Sequence, residues 1–111
     1  MDKQILDADF LRREFENDLK TILTLFLDES KESIHLLQQA LEDKDIEMVR
    51  FYAHRLKGSA LIVGAKPLAD SAQQIEESEG MDGFNRGFLL VERFYSQVQN
   101  EAKIILDKFL I

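Results

Sequence analysis

The chain has 111 residues, 45% of them hydrophobic, and only one proline, which predicts a single helical domain over residues 1–111 with a core of its own. The formal net charge of −7 disfavours nucleic acid as a partner, because phosphates attract clusters of Lys and Arg. The absence of cysteine excludes disulfides, zinc–thiolate sites and a thiol nucleophile.

The first two predicted elements are a short helix and a long one. The short leading helix runs from Asp7 to about Phe15, with Asp7 as its cap and Phe10 and Leu11 as its apolar contacts. The long helix runs from residue 17 or 18 to about Glu42, and the charged run at residues 42–45 ends it. Apolar residues recur near one face of the long helix: Leu19, Leu23, Phe26, Ile34, Leu37 and Leu41.

A third helix is predicted from about Asp45 to Val63, and Gly64 ends it. Its apolar residues alternate at spacings of four and three, which is typical of a helix that packs into a bundle. These residues are Val49, Ala53, Leu56, Ala60 and Val63.

The last two predicted helices complete the bundle. Pro67 suits the first turn of a fourth helix that presents Leu68, Ala72 and Ile75 and stops near Gly80. Asp82 is expected to cap the last helix, whose apolar stripe consists of Phe84, Phe88, Val91, Tyr95, Val98, Ala102, Ile105 and Phe109. Because the connections are short, the four amphipathic helices should form an antiparallel four-helix bundle, preceded by the short N-terminal helix.

His54 lies almost opposite the apolar stripe of the third helix when the residues are placed at about 100° each, so it should face solvent. Arg50, Lys57, Gly58 and Leu61 share its face. Helical side chains lean toward the N-terminus, so the residue four positions later covers a given side chain. That residue is Gly58. Glycine inside a helix lowers stability by about 1 kcal/mol relative to alanine, but at this position it leaves the imidazole uncovered. The same lean brings the Lys57 ammonium beside His54, where it can neutralise an anion.

The segment His54-Arg55-Leu56-Lys57-Gly58-Ser59, followed by Gly64-Ala65, Leu68 and the Ile75-Glu76 pair, resembles the signature of histidine phosphotransfer (HPt) domains. Domains of that family are four-helix bundles that carry phosphoryl groups between the aspartates of receiver domains on a helical histidine. The sequence departs from the family's pattern at two positions: Ala60 replaces a frequent small polar residue, and Ala72 stands where the family often has cysteine. Both lie on or near the apolar stripes, so they affect packing detail rather than chemistry.

The resemblance implies a phosphorelay role in which His54 accepts a phosphoryl group from a receiver aspartate and passes it to another receiver. The partners are then response regulators, a hybrid sensor histidine kinase, or both. An ordinary imidazole, with a pKa of about 6.5, has a free lone pair at neutral pH and can attack phosphorus without a separate base. Lys57 would stabilise the phosphoryl oxygens and Gly58 would give access to His54. No intrinsic cofactor is expected, and Mg²⁺ should belong to the receiver partner.

The residues around His54 leave one question open. Phe51, Leu61 and Ile62 are either covered by the leading helix or form an apolar rim on which a partner docks. Arg50 is a further docking candidate, although its side chain should lean away from His54 and it suits an ordinary surface charge.

Three alternative functions are weaker. Glu32-Ser33-Ile34-His35 matches the Glu-x-x-His unit of metal-binding four-helix bundles, but such bundles need two units and further inward glutamates. A receiver-binding module that carries no phosphate is disfavoured by the intact His54 and Lys57. The phosphoacceptor domain of a chemotaxis-type kinase shares a similar His-x-x-Lys-Gly motif, but no glycine-rich nucleotide loop is present, so we expect no autonomous kinase activity.

The sequence shows no targeting signal. Its N-terminus lacks the basic and apolar regions of a signal peptide, and no apolar run approaches the roughly 20 residues that cross a bilayer. We therefore expect a cytoplasmic monomer without membrane association.

Overall fold

The fold is all-helical throughout residues 3–108, which are the residues that this computed structural model describes. A 3-10 turn, Glu16–Asp18, joins the first two helices. The α-helices are α1 (Ala8–Phe15), α2 (Leu19–Glu42), α3 (Ile46–Ile62), α4 (Lys66–Glu77) and α5 (Met81–Asp107). The predicted fold class and the order of the helices are confirmed.

The four longer helices form the bundle, and α1 packs against α2 at one end of it. Helix α3 lies between α2 and α4, while α5 packs on α4 and, less extensively, on α2. Because only three residues separate each helix from the next along α2 to α5, successive helices run antiparallel. Helix α3 therefore has one buried face toward the bundle and one outer face toward solvent.

The predicted apolar stripes form the core. The five stripe residues of α3 are completely buried, and so are the three of α4. On α5 the stripe is also buried except for the partly exposed Tyr95, while Phe109 lies outside the described residues. In α2, Ile34 is only partly buried but packs against the core, and two serines outside the predicted stripe, Ser30 and Ser33, are fully buried. The Ser30 hydroxyl is accommodated there because it donates to the Phe26 carbonyl of the same helix.

The helix boundaries follow from their caps. Asp7 caps α1 as predicted, since its Oδ1 accepts the Phe10 N–H at 3.1 Å, and Asp45 caps α3 in the same way. The predicted cap of the last helix is wrong. Helix α4 ends at Glu77, three residues before Gly80, and α5 starts with Gly80 rather than Asp82 as its cap residue. The Gly80 carbonyl already accepts the Phe84 N–H at 3.1 Å, so Asp82 lies inside the first turn.

Glycine is required at the end of α3. Gly64 adopts a φ of +72°, a left-handed conformation that side chains disfavour. The Gly64 N–H then donates to the Leu61 carbonyl at 3.2 Å and the Ala65 N–H to the Ala60 carbonyl at 2.9 Å, which together cap the helix. The prediction that Gly64 ends this helix is thus confirmed.

Two contacts attach peripheral parts of the chain to the bundle. The Glu101 carboxylate accepts the backbone N–H groups of Ile5 and Leu6, and Leu6 is buried. The Tyr95 hydroxyl donates to the Leu27 carbonyl at 3.0 Å and so joins α5 to α2. Burial raises the pKa of Tyr95, and the hydrogen bond with Ser30 partly opposes this effect.

No helix within residues 3–108 is both long enough and apolar enough to span a bilayer.

Candidate functional site

His54 lies on the outer face of α3, as the helical pattern predicts, and its side chain is 67% exposed. The neighbouring helix reaches one edge of its ring: Nδ1 is 2.7 Å from Oε2 of Glu76 on α4. An ionised carboxylate can only accept a hydrogen bond, so Nδ1 carries the proton in this contact. In the neutral ring the lone pair then lies on Nε2, the nitrogen on the opposite edge.

Lys57 lies one turn after His54 and belongs to the same cluster. Its Nζ is 3.4 Å from Oε1 of Glu76, and its side chain is only 24% exposed. The expectation that Lys57 lies beside His54 agrees with this arrangement, because a single carboxylate contacts both side chains. Lys57 is therefore a positive charge paired with the carboxylate that also contacts the imidazole, rather than a freely solvated one.

Gly58 leaves open space at the surface next to His54. A Cβ added at this position would meet no heavy atom within 4 Å outside its own helix backbone. A close approach between helices is therefore not the reason for glycine here. Gly87 on α5 shows the contrast, since a Cβ there would lie 2.4 Å from Cγ1 of Ile75.

Arg50 also lies on the exposed side of α3, but its guanidinium points away from the imidazole. Its Nη2 donates to the Ser78 carbonyl at 2.9 Å, just beyond the end of α4. The guanidinium carbon also lies 5.8 Å from the centre of the Phe84 ring, within cation–π range. Arg50 thus holds the α4–α5 connection against α3.

The apolar residues near His54 are exposed, which answers the question that the sequence left open. Phe51, Leu61 and Ile62 are 55%, 57% and 60% exposed, so the leading helix does not cover them. Helix α1 instead places the Phe10 ring near Gly64, 3.5 Å from where a Cβ would lie. The exposed apolar surface continues onto α2 through Leu25, which is 51% exposed.

A shallow groove of about 130 Å³ lies between α2 and α3 on this side. Its lining consists of Ile22, Leu25, Phe26, Glu29, Ser59 and Ile62. We call the exposed residues Leu25, Phe51, Leu61 and Ile62 the apolar rim. The rim includes three residues predicted from the sequence and one, Leu25, that was missed because it lies on a different helix.

The contact between Glu76 and His54 was also missed. The sequence placed Glu76 within the signature, but its side chain reaches the ring only because α4 packs alongside α3. The two residues are 22 positions apart in the sequence, so the pattern of a single helix does not reveal that they are in contact.

The second histidine gives no comparable cluster. His35 and Glu32 are both exposed on α2. Within residues 3–108, the structure contains no group of three or more His, Cys, Asp or Glu side chains arranged to hold a metal ion. The Glu-x-x-His pattern therefore has no further ligands around it in the described part of the chain.

Comparison with known proteins places the chain in a family. The model of the Hpt domain family matches residues 21–101, which include the whole cluster around His54 and most of the bundle. The chain belongs to the Hpt domain family. Its function is accordingly that of a histidine phosphotransfer intermediate in a phosphorelay, as the resemblance implied.

Solved structures show the same fold. A putative histidine-containing phosphotransfer protein from rice superposes with a TM-score of 0.80 at 23% identity, covering 93% of this chain and 80% of the rice chain. Histidine-containing phosphotransfer protein B from Pseudomonas aeruginosa superposes with a TM-score of 0.64 at 26% identity, covering 97% of this chain and 93% of that one. A search of curated proteins found no match.

Proposed function

We propose that His54 is the phosphoacceptor, and that Nε2 is the atom that attacks. The observation that carries this proposal is the contact of Nδ1 with Glu76, which leaves the lone pair on the other ring nitrogen. Exposure of the ring and the open space at Gly58 allow an aspartyl phosphate to approach. His54 would take the phosphoryl group from one receiver aspartate and pass it to a second.

Lys57 serves this reaction as a positive charge. Its ammonium lies within one turn of His54 and is held there by Glu76, so it can contact the phosphoryl oxygens without a large movement. Phosphoryl transfer also depends on a metal ion that neutralises charge. We assign that Mg²⁺ to the receiver, along with the aspartate, so that this chain contributes the nucleophile and one cation.

The apolar rim is the proposed docking surface for the receiver. Its four side chains expose carbon surface on α2 and on α3, the helix that carries His54, and removal of such surface from water favours association. Arg50 would contribute less to receiver binding, because its guanidinium already contacts the Ser78 carbonyl and the Phe84 ring. The net charge of −7 disfavours nucleic acid as a competing partner.

The oligomeric state, the cellular location and the source of the phosphoryl group belong to the same proposal. The protein would act as a monomer in the cytoplasm and have no kinase activity of its own, so each phosphoryl group must come from a partner. A docking module that carries no phosphate is the second candidate, and it would need the apolar rim but not His54.

Incubation of the purified protein with a panel of phosphorylated receivers tests the proposal. The protein should become labelled only when a receiver is present, and incubation with ATP alone should give no label. The bond should be lost in acid and survive base, as a phosphoramidate does. Stable binding of a receiver without any labelling would favour the docking module instead.

A further inference from the structure

Glu29 lies at one end of the groove between α2 and α3, which shares Leu25 and Ile62 with the apolar rim. We infer that Glu29 determines which receivers bind, by selecting those that place a lysine or arginine beside an aliphatic side chain at this groove. The inference rests on the proposed function, because it names the kind of receiver that the proposed docking surface accepts.

The groove has an apolar end and a polar end. Because α2 and α3 run antiparallel, Ile22 and Leu25 of α2 lie at the same end as Ile62 of α3. Glu29 follows one turn after Leu25, about 6 Å further along the helix axis, at the end that Ser59 occupies on α3. The volume of about 130 Å³ is well below the roughly 300–1,000 Å³ of a small-molecule site, so the groove suits side chains inserted by a docked protein.

The Glu29 carboxylate is available to a partner. Within residues 3–108, no hydrogen bond or ion pair reaches its side chain. The two lysines of α2, Lys20 and Lys31, lie about 160–180° around the helix from Glu29 at about 100° per residue, so they are directed away from the groove. Arg55 is exposed one turn before Ser59 on α3, but it forms no ion pair with Glu29. A negative charge beside apolar surface is thus left for a cation that the receiver supplies.

Docking would make this charge selective. An aliphatic side chain of the receiver that covers Leu25 and Ile62 removes water from the groove, and an ion pair at its polar end is then screened less than one in open solvent. A receiver with an acidic residue at the same place would bring two carboxylates together, and such like-charge contacts suppress binding of the wrong partner. Glu29 therefore discriminates between receivers by attraction and by repulsion, while the apolar rim favours all of them.

The simpler explanation is that Glu29 is an ordinary solvated carboxylate, one of 21 acidic residues in the chain. Asp28 provides the matched control, because it is the preceding residue, is also exposed and does not line the groove. Glu29→Lys and Asp28→Lys change the net charge equally, so a general effect of charge would be the same in both. Neither substitution should change the melting temperature appreciably, since both side chains lie at the surface.

Calorimetric titration of the native protein and the two variants with a panel of unphosphorylated receivers tests the inference. At low salt, Glu29→Lys should bind the receivers of the native protein about five- to tenfold more weakly, because an attraction is replaced by a repulsion. The loss should shrink at about 1 M salt, where charges are strongly screened. Asp28→Lys should weaken binding by about twofold at most. Equal losses in the two variants, or native affinity in Glu29→Lys, would overturn the inference.

Exchange of charges across the interface identifies the cation. In the receiver that binds most tightly, each exposed lysine and arginine is changed to glutamate in turn. One of these changes should weaken binding to the native protein, and Glu29→Lys should bind that receiver variant more tightly than the native protein does. Absence of any such reversal would overturn the inference.

The titrations need no phosphodonor, so they separate this inference from the proposed function. Binding with the expected dependence on Glu29 but without labelling of His54 would support the inference and contradict phosphotransfer. Labelling together with equal losses in Glu29→Lys and Asp28→Lys would do the reverse. A panel in which no receiver binds the native protein would overturn the inference.

Discussion

The two histidines of the chain lie on neighbouring helices, and both are exposed, yet their surroundings differ in three ways. Glu76 from a second helix contacts the His54 ring, whereas within residues 3–108 no hydrogen bond or ion pair reaches the side chain of His35. Lys57 is held beside His54 by the same carboxylate. Four residues after His54 stands Gly58, while the equivalent position after His35 is Gln39.

Under the proposed function, charged neighbours in sequence are not sufficient to make a reactive histidine. His35 has Lys31 and Glu32 within one turn and so carries both signs of charge nearby. What it lacks is an acceptor on an adjacent helix that fixes the proton on one ring nitrogen, and a gap in the side chains above the ring.

Loss of the nucleophile should have the largest effect. We expect His54→Gln to abolish labelling by phosphorylated receivers and leave the circular dichroism spectrum unchanged, because the side chain contributes nothing to the core. His35→Gln is the matched control and should be labelled at the native rate. Labelling of His54→Gln together with loss of labelling in His35→Gln would reverse the comparison.

The open space at Gly58 gives the next largest effect. Gly58→Gln makes the His54 region resemble that of His35, since the new side chain leans back over the ring. We expect most of the transfer activity to be lost although the protein melts no lower than the native one. Gly58→Ala should raise stability by roughly 0.5–1 kcal/mol, because alanine has the higher helix propensity.

Thermal unfolding of a second glycine variant provides the control. Gly87→Ala should destabilise the fold by about 1–3 kcal/mol, since its Cβ would overlap the buried Ile75 side chain. Clear destabilisation of Gly58→Gln would identify a packing role for Gly58, and full activity of a stable Gly58→Gln would show that the open space has no function.

The apolar rim should contribute a smaller effect through partner binding. Leu61→Glu places a charge on the proposed docking surface, and we expect the transfer rate at low receiver concentration to fall about tenfold. Leu89→Glu is the control, because Leu89 is similarly exposed at 67% but lies on α5, a helix that carries no residue of the rim. Equal effects of the two substitutions would mean that the rim is not the docking surface.

Removal of the Lys57 charge should have the smallest effect of the four. We expect Lys57→Ala to slow transfer or shorten the phosphohistidine lifetime by about three- to tenfold, and Lys57→Arg to retain part of the function because its charge remains. Lys31→Ala, near His35, should leave both quantities unchanged. Native transfer rates and lifetimes in Lys57→Ala would make this residue an ordinary surface lysine.

Much of the fold could be predicted from local patterns. The stripe of α3 and its glycine cap follow from helical periodicity and from the left-handed turn that glycine permits, and both are confirmed. The α4–α5 connection could not be placed as well. Gly80 and Asp82 are both acceptable cap residues, and only the backbone path decides that the Gly80 carbonyl accepts the first helical hydrogen bond.

The sequence by itself determined the helices, the outward direction of His54 and the resemblance to phosphotransfer domains, because all three depend on spacing within one helix or on adjacent residues. Only the tertiary structure decided that Glu76 reaches Nδ1 and Lys57, and that Leu25 extends the apolar rim, since each relation joins residues of two different helices. It also decided that α1 leaves Phe51, Leu61 and Ile62 uncovered. Periodicity specifies which face of a helix is polar, but the rotation and position of its neighbours specify which groups meet there.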